Sequence, residues 1–224
     1  MNSVSIADRA QSVRRRIASA CERSGRSPDG VTLVAVTKGV PSWAIELAAN
    51  AGIRDFGENR VQEAQTKLPA LIELAHHMTW HLVGRLQTNK IKSALRLFDI
   101  IHSVDSLHLA EAISRRATKP IPIFLEVNVT GEHTKFGLSP QELDRDAAAI
   151  ALLPNLSVLG LMTVAPQFDE PERARPVFRR LREGAGSLGL TNLSMGMSDD
   201  FEVAVEEGAT HVRIGRAIFG ERPG

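Results

Sequence analysis

Tyrosine is missing from this chain altogether, and cysteine occurs once, at Cys21. A lone thiol excludes an internal disulfide, and no paired Cys/His spacing offers a zinc site. No run approaches the ~18 apolar residues of a membrane-crossing helix. The opening MNSVSIADRAQSVRRR has no apolar stretch of signal-peptide length. A cytoplasmic location is the expectation that remains. An excess of one charge is lacking too, since 27 Lys and Arg stand against 26 Asp and Glu. That balance gives no reason to expect nucleic acid or an acidic membrane as the main partner. There is no GxGxxG after the first apolar run, and neither GxSxG nor HExxH occurs, so the signatures of dinucleotide binding, serine hydrolysis and zinc proteolysis are missing.

What is present is an ordinary soluble balance, 43% hydrophobic and 24% charged over 224 residues, with enough apolar material for a large core. Ile6, Ala10, Val13, Ile17 and Cys21 form one helical stripe. Arg14, Arg15 and Arg16 lie largely off it and read as a solvated face. From Val31 a rhythm begins. The runs VTLVAVT, IRDFGEN, WHLVG, FDIIHSV, IPIFLEVNV, LSVLGLMTV, NLSMGM and HVRIG read as strands, each followed by a helical pattern. Those helices are expected from Pro41-Ser42, over RVQEAQTKLPALIELA and QTNKIKSALRL, after an Asp105-Ser106 cap, near Ser139-Pro140, from Glu170-Pro171 and over FEVAVEEG. Eight such units without a low-complexity linker predict a single (β/α)8 barrel domain over residues 1–224, with an extra N-terminal helix. An open doubly wound sheet is the competing architecture.

In a (β/α)8 barrel the chemistry sits at the C-terminal ends of the strands. Lys38 ends strand one in phase with Val34 and Val36, which points it toward the barrel mouth. An amine there loses hydration, which favours the free base that attacks an aldehyde. The competing reading is a strand-end lysine that snorkels to the surface. The loops after strands seven and eight are the common phosphate site of this fold. Here they hold Gly196 and Ser198 in SMGMSDD, and Gly215 and the Arg216 amide in RIGRAIFG. An amine on one side and a phosphate cradle on the other suit a small phosphorylated aldehyde. The His76-His77 pair reads as a helix-end surface feature, and His133 and His211 lack metal-spaced partners.

The stretches VAVTKGVP, DFGENRVQEAQTK, WHLVGRLQTNK, IHSVDS, FLEVNVTGEHTKFGL, GLMTVAP, LSMGMSDDFEVAVEEGATHVRIG and AIFG closely resemble the pyridoxal phosphate homeostasis proteins, the YggS/PROSC family. They cover nearly the whole chain in order, and that family also resembles the barrel domain of alanine racemases. The resemblance implies pyridoxal 5′-phosphate held as a Schiff base on Lys38, with phosphate contacts from Ser198, Gly215 and the Arg216 amide. It places Arg213 at the pyridine nitrogen, and Asn59 and His81 in motifs near the cofactor. Arg216 stands where many members carry threonine, so the backbone contact is implied there and a hydroxyl contact is not. Arg85 stands where some members carry histidine.

The function so implied is vitamin B6 homeostasis by a monomeric carrier or regulator without robust catalytic activity, its ligand passing to pyridoxal phosphate-dependent apo-enzymes. A racemase-like enzyme with one-base activity is the alternative. Two-base racemisation would use a tyrosine opposite the lysine, and this chain has none. A Schiff-base aldolase ranks below both, since barrel aldolases usually carry the lysine on a later strand. A structural arginine at position 213, paired with an acid such as Glu207, is the competing reading of that residue.

Overall fold

The computed structural model describes residues 4–71, 77–132 and 136–221. Eight strands close in sequence order into a parallel barrel: β1 (Thr32–Val36), β2 (Asp55–Glu58), β3 (Thr79–Leu82), β4 (Ile100–Val104), β5 (Ile121–Glu126), β6 (Leu156–Met162), β7 (Asn192–Ser194) and β8 (His211–Ile214). The seam that closes the ring pairs β1 with β8, Thr32 opposite His211 and Val34 opposite Arg213. All eight expected strands are found, and the open sheet is excluded. Each strand except β4 stops short of its apolar run. Thr37, Asn59, Val83, Thr163, Gly196 and Gly215 lie past the last ladder residues and enter the loops at the C-terminal rim.

The N-terminal helix α1 (Ile6–Arg23) starts at a capping box in which Ser5 and Asp8 satisfy each other's backbone. Its expected stripe is its buried face, with Ala10, Val13, Ile17 and Cys21 against the barrel's outer helices. The arginines opposite are not simply solvated. Arg14 donates to the Ala51 carbonyl at 2.9 Å and Arg16 pairs with Glu202 at 2.7 Å, tying α1 to its neighbours.

The remaining helices are α2 (Ser42–Asn50), α3 (Val61–Lys67), α4 (Ile91–Leu97), α5 (Leu107–Ser114), α6 (Leu143–Ala151), α7 (Arg175–Ser187), α8 (Phe201–Glu206) and α9 (Arg216–Phe219). Three start later than the sequence suggests. Pro171–Ala174 forms a 3-10 turn before α7, Thr88–Lys90 forms another before α4, and α6 begins beyond Ser139-Pro140. Ser106, not Asp105, caps α5, accepting from the Leu109 amide at 3.2 Å. Asp105 faces Arg85 at 3.7 Å instead. Residues 72–76 of the expected third helix, His76 among them, and residues 133–135, with His133, lie outside the described residues. Among the described helices, none is long and apolar enough to cross a membrane.

Candidate functional site

The barrel mouth holds a cavity of about 530 Å³, within the range typical of small-molecule sites. Lys38 and Asn59 line it from the ends of β1 and β2, and Ser198, Arg213, Gly215 and Arg216 line it from the ends of β7 and β8. Six of the eight residues singled out from the sequence therefore share one cavity. Gly196 and His81 are not on its wall.

Lys38 is half-buried, and its ammonium makes no hydrogen bond or ion pair with the described residues. Its backbone neighbours are clamped. The Thr37 hydroxyl donates to Glu58 Oε1 at 2.6 Å, Lys67 Nζ donates to the Thr37 carbonyl at 2.6 Å, and the Gly39 amide donates to Glu63 Oε1 at 2.5 Å. Lys67 also bridges the two carboxylates, at 2.9 Å from Glu58 and 2.5 Å from Glu63. Burial pushes the Glu58 carboxyl above its ordinary range, against the hydrogen bonds from Thr37 and Lys67. One lysine is thus fully engaged so that the other can be presented unpaired. Sequence reading missed this cluster; its signal was Glu63 and Lys67 at i,i+4 spacing on α3, directly after the end of β2.

The Ser198 hydroxyl accepts from the Ala217 amide at 3.2 Å, joining the loop after β7 to the first turn of α9. The Arg216 guanidinium is turned onto the carboxylate of Asp199, so this residue offers the cavity its backbone amide. Gly196 serves by conformation. Its φ is +90°, and a Cβ there would lie 2.6 Å from the Ala204 Cβ and 2.9 Å from the Phe201 Cα. Only glycine allows this turn to seat against α8 and deliver Ser198 to the rim.

Arg213 is buried at 5% exposure. Its guanidinium donates to Ser194 Oγ at 2.6 Å and to the Thr163 carbonyl at 2.8 Å. Burial lowers its pKa to about 10, opposed by the charges of Glu126 and Asp200, so it stays a cation at neutral pH. The pairing with Glu207 does not occur. Glu207 is held by Arg175, Arg179 and Arg182 at 3.2, 3.1 and 3.0 Å. Burial raises Glu126 to about 7, with Arg213 opposing. Asp200 is also raised by burial, while its carboxylate accepts from the Met197 amide at 2.6 Å. Neither carboxylate was anticipated, because Glu126 reads as strand and Asp200 as turn.

His81 lies deeper, fully buried inside the barrel. It hydrogen-bonds His102 at 2.9 Å and Asp55 at 3.1 Å. Sequence reading did not see that His81, His102 and His211 would cluster there, with ring centroids 5.0, 5.9 and 6.4 Å apart.

Residues 9–223 match the family described as the alanine racemase N-terminal domain. A protein of Aquifex aeolicus named pyridoxal phosphate homeostasis protein is 46% identical, over 96% of this chain and 97% of its own. The Escherichia coli K12 protein of the same name is 39% identical over 97% of each. The structure of PipY from Synechococcus elongatus with PLP bound superposes with a TM-score of 0.81 at 40% identity, over 93% of this chain and all of that one. Corynebacterium glutamicum alanine racemase shares the fold, with a TM-score of 0.69 at 21% identity over 96% of this chain and 61% of that one.

Proposed function

Because this chain belongs to the alanine racemase N-terminal domain family, alongside the pyridoxal phosphate homeostasis proteins, we propose that it holds pyridoxal 5′-phosphate on Lys38 and serves vitamin B6 homeostasis as a carrier. One observation carries this reading: Lys38, whose amine has no partner among the described residues, lines one cavity together with Ser198, Gly215 and Arg216, which offer hydroxyl and amide donors. The PLP-bound relative at 40% identity supports the same ligand class.

The residues fit the group. When bound, pyridoxal phosphate supplies an aldehyde that condenses with a primary amine, releasing water, and a phosphate that needs hydrogen-bond donors. The Glu58–Lys67–Glu63 cluster fixes the backbone on both sides of Lys38 and so aims its amine. Ser198 donates its hydroxyl, and the amides of Gly215 and Arg216 add uncharged donors at the start of α9. Asn59 Oδ1 is a buried acceptor without a partner, which a bound polar group on that wall satisfies. Arg213 keeps its proton and can only donate. It therefore serves a ring nitrogen as a hydrogen-bond donor and does not protonate it, which suits holding the ligand better than drawing electrons from a substrate. His81 acts on the cavity at one remove, and Gly196 shapes its rim.

The carrier reading includes a cytoplasmic monomer that passes its ligand to pyridoxal phosphate-dependent apo-enzymes. The test is borohydride reduction of the protein mixed with pyridoxal phosphate, followed by peptide mass mapping. The expected adduct is on Lys38, and an adduct of equal occupancy on another lysine overturns the site.

A further inference from the structure

Four hydrogen bonds run end to end through the barrel interior. Arg213 Nη1 meets Ser194 Oγ at 2.6 Å, Ser194 Oγ meets His102 Nδ1 at 2.8 Å, His102 Nε2 meets His81 Nδ1 at 2.9 Å, and His81 Nε2 meets Asp55 Oδ1 at 3.1 Å. Ser194, His102 and His81 are fully buried. Arg213 opens onto the cavity at the C-terminal rim. Asp55, the first residue of β2, lines a separate hollow of about 410 Å³ with Thr32 and Arg54 at the opposite end. The chain therefore joins the two faces of the barrel.

Its hydrogens can be counted. A guanidinium only donates and an ionised carboxylate only accepts, while a hydroxyl and a neutral imidazole each carry one proton. With both imidazoles neutral, Arg213 donating at one end and Asp55 accepting at the other, a single arrangement satisfies every link. Ser194 donates to His102 Nδ1, His102 donates from Nε2 to His81 Nδ1, and His81 donates from Nε2 to Asp55. Reversing the imidazoles while both stay neutral sets a bare His81 nitrogen against a carboxylate oxygen, two acceptors with no proton between them. The other charged or titratable groups nearby are His211 beside both rings, and Glu126 and Asp200, whose charges reach Arg213. None of them interrupts the four links.

We propose that Asp55, His81, His102 and Ser194 are positioning residues: they form a directed relay, oriented by the Asp55 charge, that holds the Arg213 guanidinium in its place on the cavity wall. The consequence for the cavity rests on the function proposed above; the relay itself does not. The donor on the cavity wall is thereby steadied by an anion at the far end of the barrel. An unpaired buried polar group costs more than a satisfied one contributes, so each link depends on the next.

Nitrogen-15 spectra of the full-length protein, labelled at histidine and free of ligand, test the relay at neutral pH. Both His81 and His102 are expected to carry their proton on Nε2. Asp55→Asn, which can accept or donate, is expected to give mixed tautomers at both rings. A proton on Nδ1 of either ring in the wild type, or unchanged tautomers in Asp55→Asn, overturns the proposal. Pyridoxal phosphate titration, followed by absorbance, tests the effect on the cavity. His102→Phe should weaken binding by about tenfold, and His102→Gln, which can accept from Ser194 and donate to His81, should stay within about threefold of the wild type. Equal affinity in the wild type and His102→Phe overturns the hold on Arg213. If His102→Phe does not fold, Asp55→Asn takes its place, with an expected loss of about threefold; no loss there counts against the proposal. Failure of the wild type to bind pyridoxal phosphate defeats the cofactor reading instead, and the tautomers still decide the relay.

Discussion

Lys67 donates to the carbonyl oxygen of Thr37 at 2.6 Å, one residue before Lys38. Two lysines thus divide the work at the end of β1, one held by backbone and carboxylates, the other without a partner among the described residues. Lys38→Ala should abolish the borohydride-trapped adduct while leaving the fold intact. Lys67→Met should keep the adduct on Lys38 but lower stability by about 2 to 3 kcal/mol, because the buried Glu58 loses its cation. Adding Glu58→Gln should recover part of that loss. Denaturant unfolding of the single and double variants checks it, and an unaltered midpoint in Lys67→Met would remove the clamp from the argument.

On the proposed site, Ser198→Ala should remove a charge-assisted hydrogen bond worth roughly 1.5 to 3 kcal/mol to a bound phosphate. Retention of pyridoxal phosphate should fall accordingly, and retention of unphosphorylated pyridoxal should hardly change. Comparing the two ligands by titration separates a phosphate contact from general damage. Equal weakening of both would place Ser198 elsewhere.

The barrel was legible because its strands are β-branched runs set off by glycine and proline, and parallel strands buried on both faces need no other cue. Lys38, Ser198, Gly215 and Arg216 were legible because strand ends and the loops after β7 and β8 have a fixed place in this fold. The Glu58–Lys67–Glu63 cluster was missed, because the i,i+4 pair on α3 does not by itself say that it reaches the end of β2. The histidine chain was not legible. It depends on which inward positions of β2, β3, β4, β7 and β8 share a level in the barrel, which is set by strand stagger that a single sequence does not display. His81 was accordingly expected near the cofactor, whereas it contacts Asp55 and His102 below the cavity.

Glu126 should leave a mark on the pH dependence of stability. Burial raises its folded-state pKa to about 7, above an unfolded value near 4.3. The raised pKa therefore adds stability that is complete below about pH 4 and is lost as pH climbs to about 7. Glu126→Gln should remove that slope, flattening the difference curve against wild type by about 2 to 3 kcal/mol across the window. The opposing slope from His211, lowered to about 4 by burial, is common to both proteins and cancels. Thermal unfolding at a series of pH values reads the difference, and parallel curves would contradict the assignment.

Gly196→Ala should cost about 2 to 4 kcal/mol, since it demands a positive φ from alanine and pushes a methyl into Ala204. The loss should appear as weaker phosphate retention in whatever fraction folds, because the turn that carries Ser198 shifts. A stable variant with wild-type retention would show that the turn can relax.

If Arg213 serves as a donor that keeps its proton, then with no tyrosine in the chain to act as a second base, no more than trace turnover of amino acids is expected from the wild type. A screen for racemisation, decarboxylation and transamination checks this. Saturable turnover that disappears in Lys38→Ala would make the protein an enzyme.

The seam between β1 and β8 sets Val34 beside Arg213, so the cavity draws together residues far apart in the polypeptide. During synthesis Lys38 emerges well before Ser198, Arg213 and Gly215. On the proposed site, ligand capture must then await β8, and a product stalled before that strand would carry the reactive amine without its cradle. Loading with cofactor would in that way report that the last strand of the barrel had been made.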